Sequence, residues 1–372
     1  MSIKTVETKK DLMEFIKFPW KIYKEDKNWV PQLISDMQAL LDPDKNPFWK
    51  HATGKYFLAL NDKGETVGRI AAIIDRNFVE FQEEQTGFFA FYESINDVSV
   101  AKEMIATTAT WLKENGMTKM IGPTAPSTND EMGFLYSGFD SPPFLMMPYN
   151  PQYYIELMEK CGLTKAKDLY AYLMEEKDAP KKRLERIAQS VKKAIPELTV
   201  RNLNMKDYAN EVKRLREIYN HAWEKNWGFV PWTEEEFYGQ CEKLKPLVEP
   251  GLLYLALMGD KPVGMLVGVP NYNFVLQKLN GKLGPIEILK FLYYKSKIKN
   301  IRVMIMGVIK EYRNKGIEGV MYNEIVVNGV KLGYPQGEFS WILEDNTMMC
   351  RAAEMLGGKV YKVYRVYENN LN

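Results

Sequence analysis

Arg302–Val330 reads RVMIMGVIKEYRNKGIEGVMYNEIVVNGV, and this stretch decides the fold. Its apolar run from Val303 to Ile309 predicts a buried strand. A short polar turn follows, Glu311-Tyr312-Arg313-Asn314-Lys315-Gly316. Apolar residues then recur at helical spacing: Ile317, Val320, Met321 and Ile325, with Val330 further on. A strand therefore feeds a basic turn that opens straight into a helix. The first turn of a helix has N–H groups without internal partners, and its dipole favours anions. Gly316 lets a phosphate approach the backbone, and Arg313 and Lys315 add positive charge. The segment is suited to a phosphorylated group such as a pyrophosphate. It is not a nucleotide loop of the common kinds. The chain has no G-x-x-x-x-G-K-[ST], and Gly316-Ile317-Glu318-Gly319 is not G-x-G-x-x-G.

Outward from this stretch, the chain repeats itself. In the first half, Lys55–Leu60, a turn at Asn61–Gly64 and Val67–Ile74 read as a hairpin. In the second, Leu252–Leu257, a turn at Gly259–Lys261 and Val263–Val269 repeat it. Each hairpin follows an aromatic–proline segment, Lys27-Asn-Trp-Val-Pro or Lys225-Asn-Trp-Gly-Phe-Val-Pro. Each precedes a strand, a long helix and another strand. These are Gly87–Tyr92, Val98–Asn115 and Met117–Gly122 in one half, and Arg302–Ile309, Gly316–Leu332 and Gly337–Ile342 in the other. A short helix, a glycine and a tyrosine-rich strand close each half. The expected organisation is 1–177 as a first domain with a long insertion at 122–150, a connecting helix at 178–197, and 198–372 as a second domain.

Composition narrows the function. The 372 residues suffice for two domains, and 46% are hydrophobic. A formal net charge of +2 argues against a general nucleic-acid binder. Three scattered cysteines predict neither a disulfide framework nor a zinc site, and suit a reducing, cytoplasmic compartment. Only two histidines occur, so a histidine triad or a metal site is poorly supplied, and no metal is expected. No signal peptide or spanning segment is expected.

The turn and its setting resemble the coenzyme A loop of the GCN5-related N-acetyltransferase (GNAT) superfamily, R/Q-x-x-G-x-G/A after a strand. Arg313 and Gly316 match, while Glu318 stands where Gly or Ala is usual. The element order β–α–α–β–β–β–α–β–α–β, twice, is similar to that of tandem GNAT proteins, particularly a bacterial N-acyltransferase family. The resemblance implies a mixed α/β fold of the α+β type. Each of two tandem GNAT-like domains would hold a mostly antiparallel twisted sheet flanked by helices. It further implies acetyl-CoA or a longer acyl-CoA as co-substrate, lying in a V between the fourth and fifth strands of the second half. Cofactor contacts would come from Val308, Ile309, Arg313, Asn314, Lys315, Gly316, Ile317, Gly319 and Asn346. A backbone N–H near Val308 and Ile309 would stabilise the oxyanion.

The family's motif N-x-x-A…Y-x-x-x-G-F is matched at Asn346, but its tyrosine, the acid for the departing thiolate, falls on Ala353. Tyr361, Tyr364 and Tyr367 stand nearby in sequence as substitutes or as packing residues. Glu344 and Asp345 read as base or, for Asp345, as a helix N-cap. In the first half, Ser94–Asp97 offers no arginine and no glycine where phosphates would lie. Its insertion carries Asn129, Asp130 and Glu131, which read either as groups facing an acceptor amine or as turn caps. The segment Gly284–Lys299 mixes apolar residues with lysines; a peripheral membrane contact, an acyl-channel wall and a core-facing helix all fit it.

The leading expectation is acyl transfer from CoA to a primary amine, a small molecule or a lipid, and the resemblance extends this to a long-chain, sphingoid-like amine. The alternative is a non-catalytic acyl-CoA or lipid-binding protein. A tRNA-dependent transferase would share the fold but lacks a basic groove here. Monomer and dimer both fit.

Overall fold

The structure, a computed structural model, describes residues 1–371. The first half runs β1 (Ser2–Thr5), α1 (Lys9–Lys17), α2 (Pro19–Ile22), α3 (Ile34–Leu40), β2 (Ala52–Leu60), β3 (Thr66–Asp75), α4 (Arg76–Gln82), β4 (Thr86–Ser94), α5 (Val98–Glu114), β5 (Lys119–Ala125), β6 (Glu131–Met132), β7 (Phe134–Ser137), α6 (Tyr153–Lys160) and β8 (Thr164–Glu175). After α7 (Lys181–Ala194) come β9 (Leu198–Asn202), α8 (Tyr208–Ala222), α9 (Glu234–Leu244), β10 (Leu253–Met258), β11 (Lys261–Pro270), α10 (Asn273–Leu279), α11 (Pro285–Lys295), β12 (Asn300–Val308), α12 (Ile317–Lys331), β13 (Gln336–Leu343), α13 (Thr347–Met355) and β14 (Lys359–Asn370).

Local chemistry sets many of these limits. Helices α1 and α9 begin with capping boxes, Thr8 with Asp11 and Thr233 with Glu236. The β2–β3 turn closes on Asn61, whose Oδ1 accepts the N–H groups of Lys63 and Glu65. Strands β3 and β4 are buried along their whole length, which their apolar sequences require.

The chain divides into two compact units. The first holds Met1–Leu169, Asn273–Tyr294 and the end of the chain from Lys362; the second holds Tyr170–Tyr272 and Lys295–Tyr361. The first unit's sheet runs β1-β2-β3-β4-β5-β14, and the second's runs β8-β13-β12-β11-β10-β9. Each contains one parallel pair of central strands, β4 with β5 and β12 with β13, among antiparallel neighbours. The closing strands are exchanged. β14, last in the second half, pairs with β5 through Tyr367↔Gly122 to Asn370↔Lys119, while β8, last in the first half, lies beside β13.

The insertion departs from the expected element order, because Phe134–Ser137 forms β7 against Val363–Arg365 of β14. That partner lies more than 200 residues away, so no local pattern announces it. The insertion is also tied down by Lys362, whose buried ammonium donates to the carbonyls of Gly138 and Ser141. The helices α10 and α11 belong to the first unit, where Asn273 Nδ2 donates to Pro143 O (2.9 Å) and Phe144 O (2.8 Å).

Candidate active site

In the second unit, β12 and β13 pair in parallel from Asn300↔Gln336 to Val303↔Phe339. Beyond Val303 no pairing between them is described, and Met304–Gly307 of β12 become half-exposed. The two strands therefore open into a V. Arg302 and Glu338 are register partners at its base, both buried. Arg302 Nε donates to Ser340 Oγ (2.9 Å) and lies 3.8 Å from Glu338 Oε1. Ser340 and Tyr361 each donate a hydroxyl to Glu338. A buried carboxylate is tolerated only with such partners. Sequence reasoning missed Arg302 and Glu338, although each is the lone charge in its strand, two positions before the strands part. Tyr361 is where its hydroxyl serves this network.

The basic turn stands at the mouth of the V. Asn314 (φ 62°) and Gly316 (φ 78°) are left-handed, and Gly316 is the N-cap of α12, without any side-chain cap. The first N–H groups of a helix that begins in this way suit an anion. Ile317 is buried and anchors the turn to the core. Arg313 is engaged with the protein itself: Nε donates to Val308 O (2.9 Å) and Nη2 to Ala222 O (2.7 Å). It thus pins the end of β12 to the end of α8. Lys315 lies over the Tyr312 ring, 4.7 Å from its centroid. The Ile309 N–H donates to Val263 O (2.9 Å). An oxyanion donor at this end of β12 must therefore be another amide than that of Ile309.

Glycine at 316 and 319 also answers to packing. A Cβ at Gly316 would stand 2.7 Å from Val191 Cγ2, and one at Gly319 2.6 Å from Ile187 Cγ2, both on α7. The stretch expected as a connecting helix thus packs directly on the first turn of α12. Glu318 sits in that turn, half-buried. Burial pushes its carboxyl pKa up, against a hydrogen bond from its own N–H and the pull of Arg313. Its carboxylate therefore meets one of the N–H groups that an anion would use.

One turn further along α12, Tyr322 is buried, its ring edge-on to Phe339 of β13 at 6.3 Å. Its hydroxyl lies 3.6 Å from Met306 Sδ on the splayed part of β12 and 3.9 Å from Met349 Sδ on α13. Burial, and secondarily Glu318, push its pKa well up, so it stays protonated at neutral pH. Met349 stands one helical turn before buried Ala353, where the family pattern places its tyrosine. Tyr322 thus brings a phenol from α12 to the face of α13 that lacks one. The sequence held no signal for it, because helix-to-helix proximity set it there.

The remaining residues lie as follows. Asn346, not Asp345, is the N-cap of α13, and its Oδ1 accepts from Met349 N (3.2 Å). Glu344 is half-buried just past β13. In the first unit, Asp130 accepts from Ser127 Oγ (2.7 Å) and Glu131 from Gln32 Nε2 (3.2 Å).

The first half's counterpart of the turn is closed. Asp97 caps α5, accepting from Ser99 N (2.7 Å) and Val100 N (3.3 Å). The Ser94 N–H at the end of β4 donates to the Tyr154 hydroxyl (2.8 Å). Tyr154 and Tyr23 both donate to buried Glu93 Oε2, at 2.7 and 2.8 Å. Burial pushes the Glu93 carboxyl up despite Arg69, 3.7 Å away. The strand end that would meet a thioester is filled by the protein's own side chains. Among the described residues, no group of His, Cys, Asp or Glu is placed to hold a metal, and no helix is long and apolar enough to cross a membrane.

Two curated relatives match the chain over its length. Protein YghO of Escherichia coli is 35% identical over 377 positions, covering 99% of this chain and 95% of that protein. The bacterial ceramide synthase of Caulobacter vibrioides is 36% identical over 381 positions, covering 100% and 98%. The chain belongs to their family. No family model matches it. Among solved structures, a tandem GNAT protein from the clavulanic acid biosynthesis pathway has a TM-score of 0.59 at 9% identity, covering 100% of this chain and 98% of that one. A GCN5-related N-acetyltransferase from Sphaerobacter thermophilus has a TM-score of 0.54 at 12% identity, covering 100% and 96%. The fold is the tandem GNAT fold.

Proposed function

We propose that the protein transfers a long acyl chain from CoA to the amino group of a long-chain amine. The V between β12 and β13, opening beside the uncapped N-terminus of α12, carries this reading. Pantetheine would run along the freed edge of β12, and the pyrophosphate would take the N–H groups of the Arg313–Gly319 turn. The amine attacks the thioester carbonyl, the C–S bond breaks, the thiolate takes its proton from the Tyr322 hydroxyl, and the proton shed by the new amide nitrogen restores the phenol. That hydroxyl is suited to sulfur, because sulfur is what it already meets. Arg302, Glu338 and Tyr361 hold the base of the V and keep the parting point of the strands fixed. Asp130, held by Ser127, and Glu131, held by Gln32, are assigned no step in this reading.

A long-chain acceptor is supported by the relative named ceramide synthase, 36% identical end to end, since ceramide is the amide of a fatty acid with a long-chain amino alcohol. The test is thiol release and product mass with palmitoyl-CoA and a series of amines. Amide formation rising with amine length supports the reading, since each buried methylene adds about 0.8 kcal/mol. Release of thiol without amide, or no dependence on chain length, overturns the acceptor. Binding of acyl-CoA without turnover for any amine would make the protein a binding module.

A further inference from the structure

Helix α11 turns its apolar side to the solvent. None of its residues is buried. Ile286, Ile288, Leu289, Leu292 and Tyr293 are 50–68% exposed. At 100° per residue these five side chains span an arc of about 160°. Lys290 falls just outside one edge of the arc, and Lys295 just outside the other, beside Ile288. The half-buried residues Glu287, Phe291 and Tyr294 recur at helical spacing on the opposite side. The helix therefore lies on the protein by a narrow stripe and offers its broad apolar face outward.

This is a held arrangement. The Tyr294 ring packs edge-on against Phe274 at 6.0 Å. Glu287 Oε2 accepts from Gly284 N (3.2 Å) at the helix start. The turn before it is fixed by Ile34 N to Gly281 O (2.9 Å) and by Trp20 Nε1 to Asn280 Oδ1 (2.9 Å). A contiguous exposed apolar face, kept rigid in this way, marks a surface that something covers.

The flanking charge indicates what covers it. Between Lys282 and Lys299 five lysines are exposed, at 282, 290, 295, 297 and 299, and the one carboxylate, Glu287, lies within ion-pair reach of Lys290. Lysines thus outnumber carboxylates around α11, while the whole chain has a formal net charge of only +2. A broad apolar arc bordered by lysines matches the boundary between anionic headgroups and acyl chains, where lysine stems lie along the apolar layer and ammonium groups reach phosphates. The narrow seam of helix-to-helix pairing would use a smaller arc. We propose that α11 is the element by which this protein docks on an anionic lipid bilayer. Docking of this kind needs no acyl donor and stands apart from the acyl-transfer reading.

The test is co-sedimentation of the full-length protein with vesicles. One set is phosphatidylcholine alone, and the other contains phosphatidylglycerol at one third. The protein should bind the anionic set and be released by salt, as screening shortens the reach of the lysines. The variant Leu289→Glu/Leu292→Glu/Tyr293→Glu should bind roughly tenfold or more weakly, as should Lys290→Glu/Lys295→Glu. These positions are exposed, and circular dichroism checks that the fold is kept. Wild type that ignores anionic vesicles, or variants that bind as wild type does, would overturn the proposal. A wild-type dimer that the triple variant turns into monomer, with no vesicle binding by either, would overturn it in favour of a second copy on this face.

Discussion

At the scale of single residues, Tyr322 and Glu318 share one face of α12 and have separate roles. With phenylalanine at 322 the thiolate leaves without its proton donor. Tyr322→Phe should lower kcat by about 10²-fold with little change in KM for acyl-CoA, the signature of a group that acts only as charge develops. A rise in KM at constant kcat would mean that Tyr322 only shapes the binding surface. Glu318 has a carboxyl pKa raised by burial, so its ionised form is disfavoured in the folded state. The stability it contributes is present below the unfolded value near 4.5 and is lost as pH rises through the higher folded value. Glu318→Gln should therefore match or exceed wild type in Tm near neutral pH, with the gain shrinking toward pH 4.5. The same substitution removes a negative charge at the helix start and should tighten CoA binding by roughly fivefold. Calorimetry across the pH range and a CoA titration read the two effects separately.

Among the elements, the exchanged strand β14 is secured in the first unit by charge as well as by pairing. Arg365 meets Asp168 of β8 through two hydrogen bonds, Nε to Oδ1 at 2.8 Å and Nη2 to Oδ2 at 2.9 Å. Burial pushes the Asp168 carboxyl up, but the hydrogen bonds from Arg365, its charge and Lys165 outweigh that, and the net shift is downward. A lowered carboxyl contributes stability that is present above the unfolded value, 3.8, and lost as pH falls through the folded one. Asp168→Asn should cost about 3 kcal/mol at neutral pH, because it leaves the guanidinium without its charge partner. The difference from wild type should narrow below pH 3.8, and urea unfolding at pH 7 and pH 3 measures it. An equal deficit at both values would make the contribution one of shape alone.

For the molecule as a whole, the two halves share an order of elements, but the corresponding helix starts, those of α5 and α12, differ. Asp97 occupies the N–H groups of α5, while α12 begins on Gly316 without a side-chain cap. Titration with CoA should therefore give one site per chain. Two equivalent sites would mean that the Asp97 cap and the Tyr154–Ser94 contact give way to ligand.

The hairpins, the two long helices and the tandem order were legible in the sequence because they rest on local periodicity. Alternation, a 3.6-residue repeat and turn residues such as Asn61 are written within a few positions of one another. The uncapped start of α12 was legible for the same reason. What only the tertiary structure decided involves partners far apart in the chain. The exchange of β8 and β14, the strand β7 inside the insertion and the seat of α7 on Gly316 and Gly319 all depend on such pairings. So do the two tasks that Arg313 performs on backbone carbonyls, and the arrival of Tyr322 beside the α13 face at Ala353. A sequence carries the preference of each segment for a shape. Which remote surfaces then meet is set by the simultaneous burial of all of them, and the site's chemistry is assembled from those meetings.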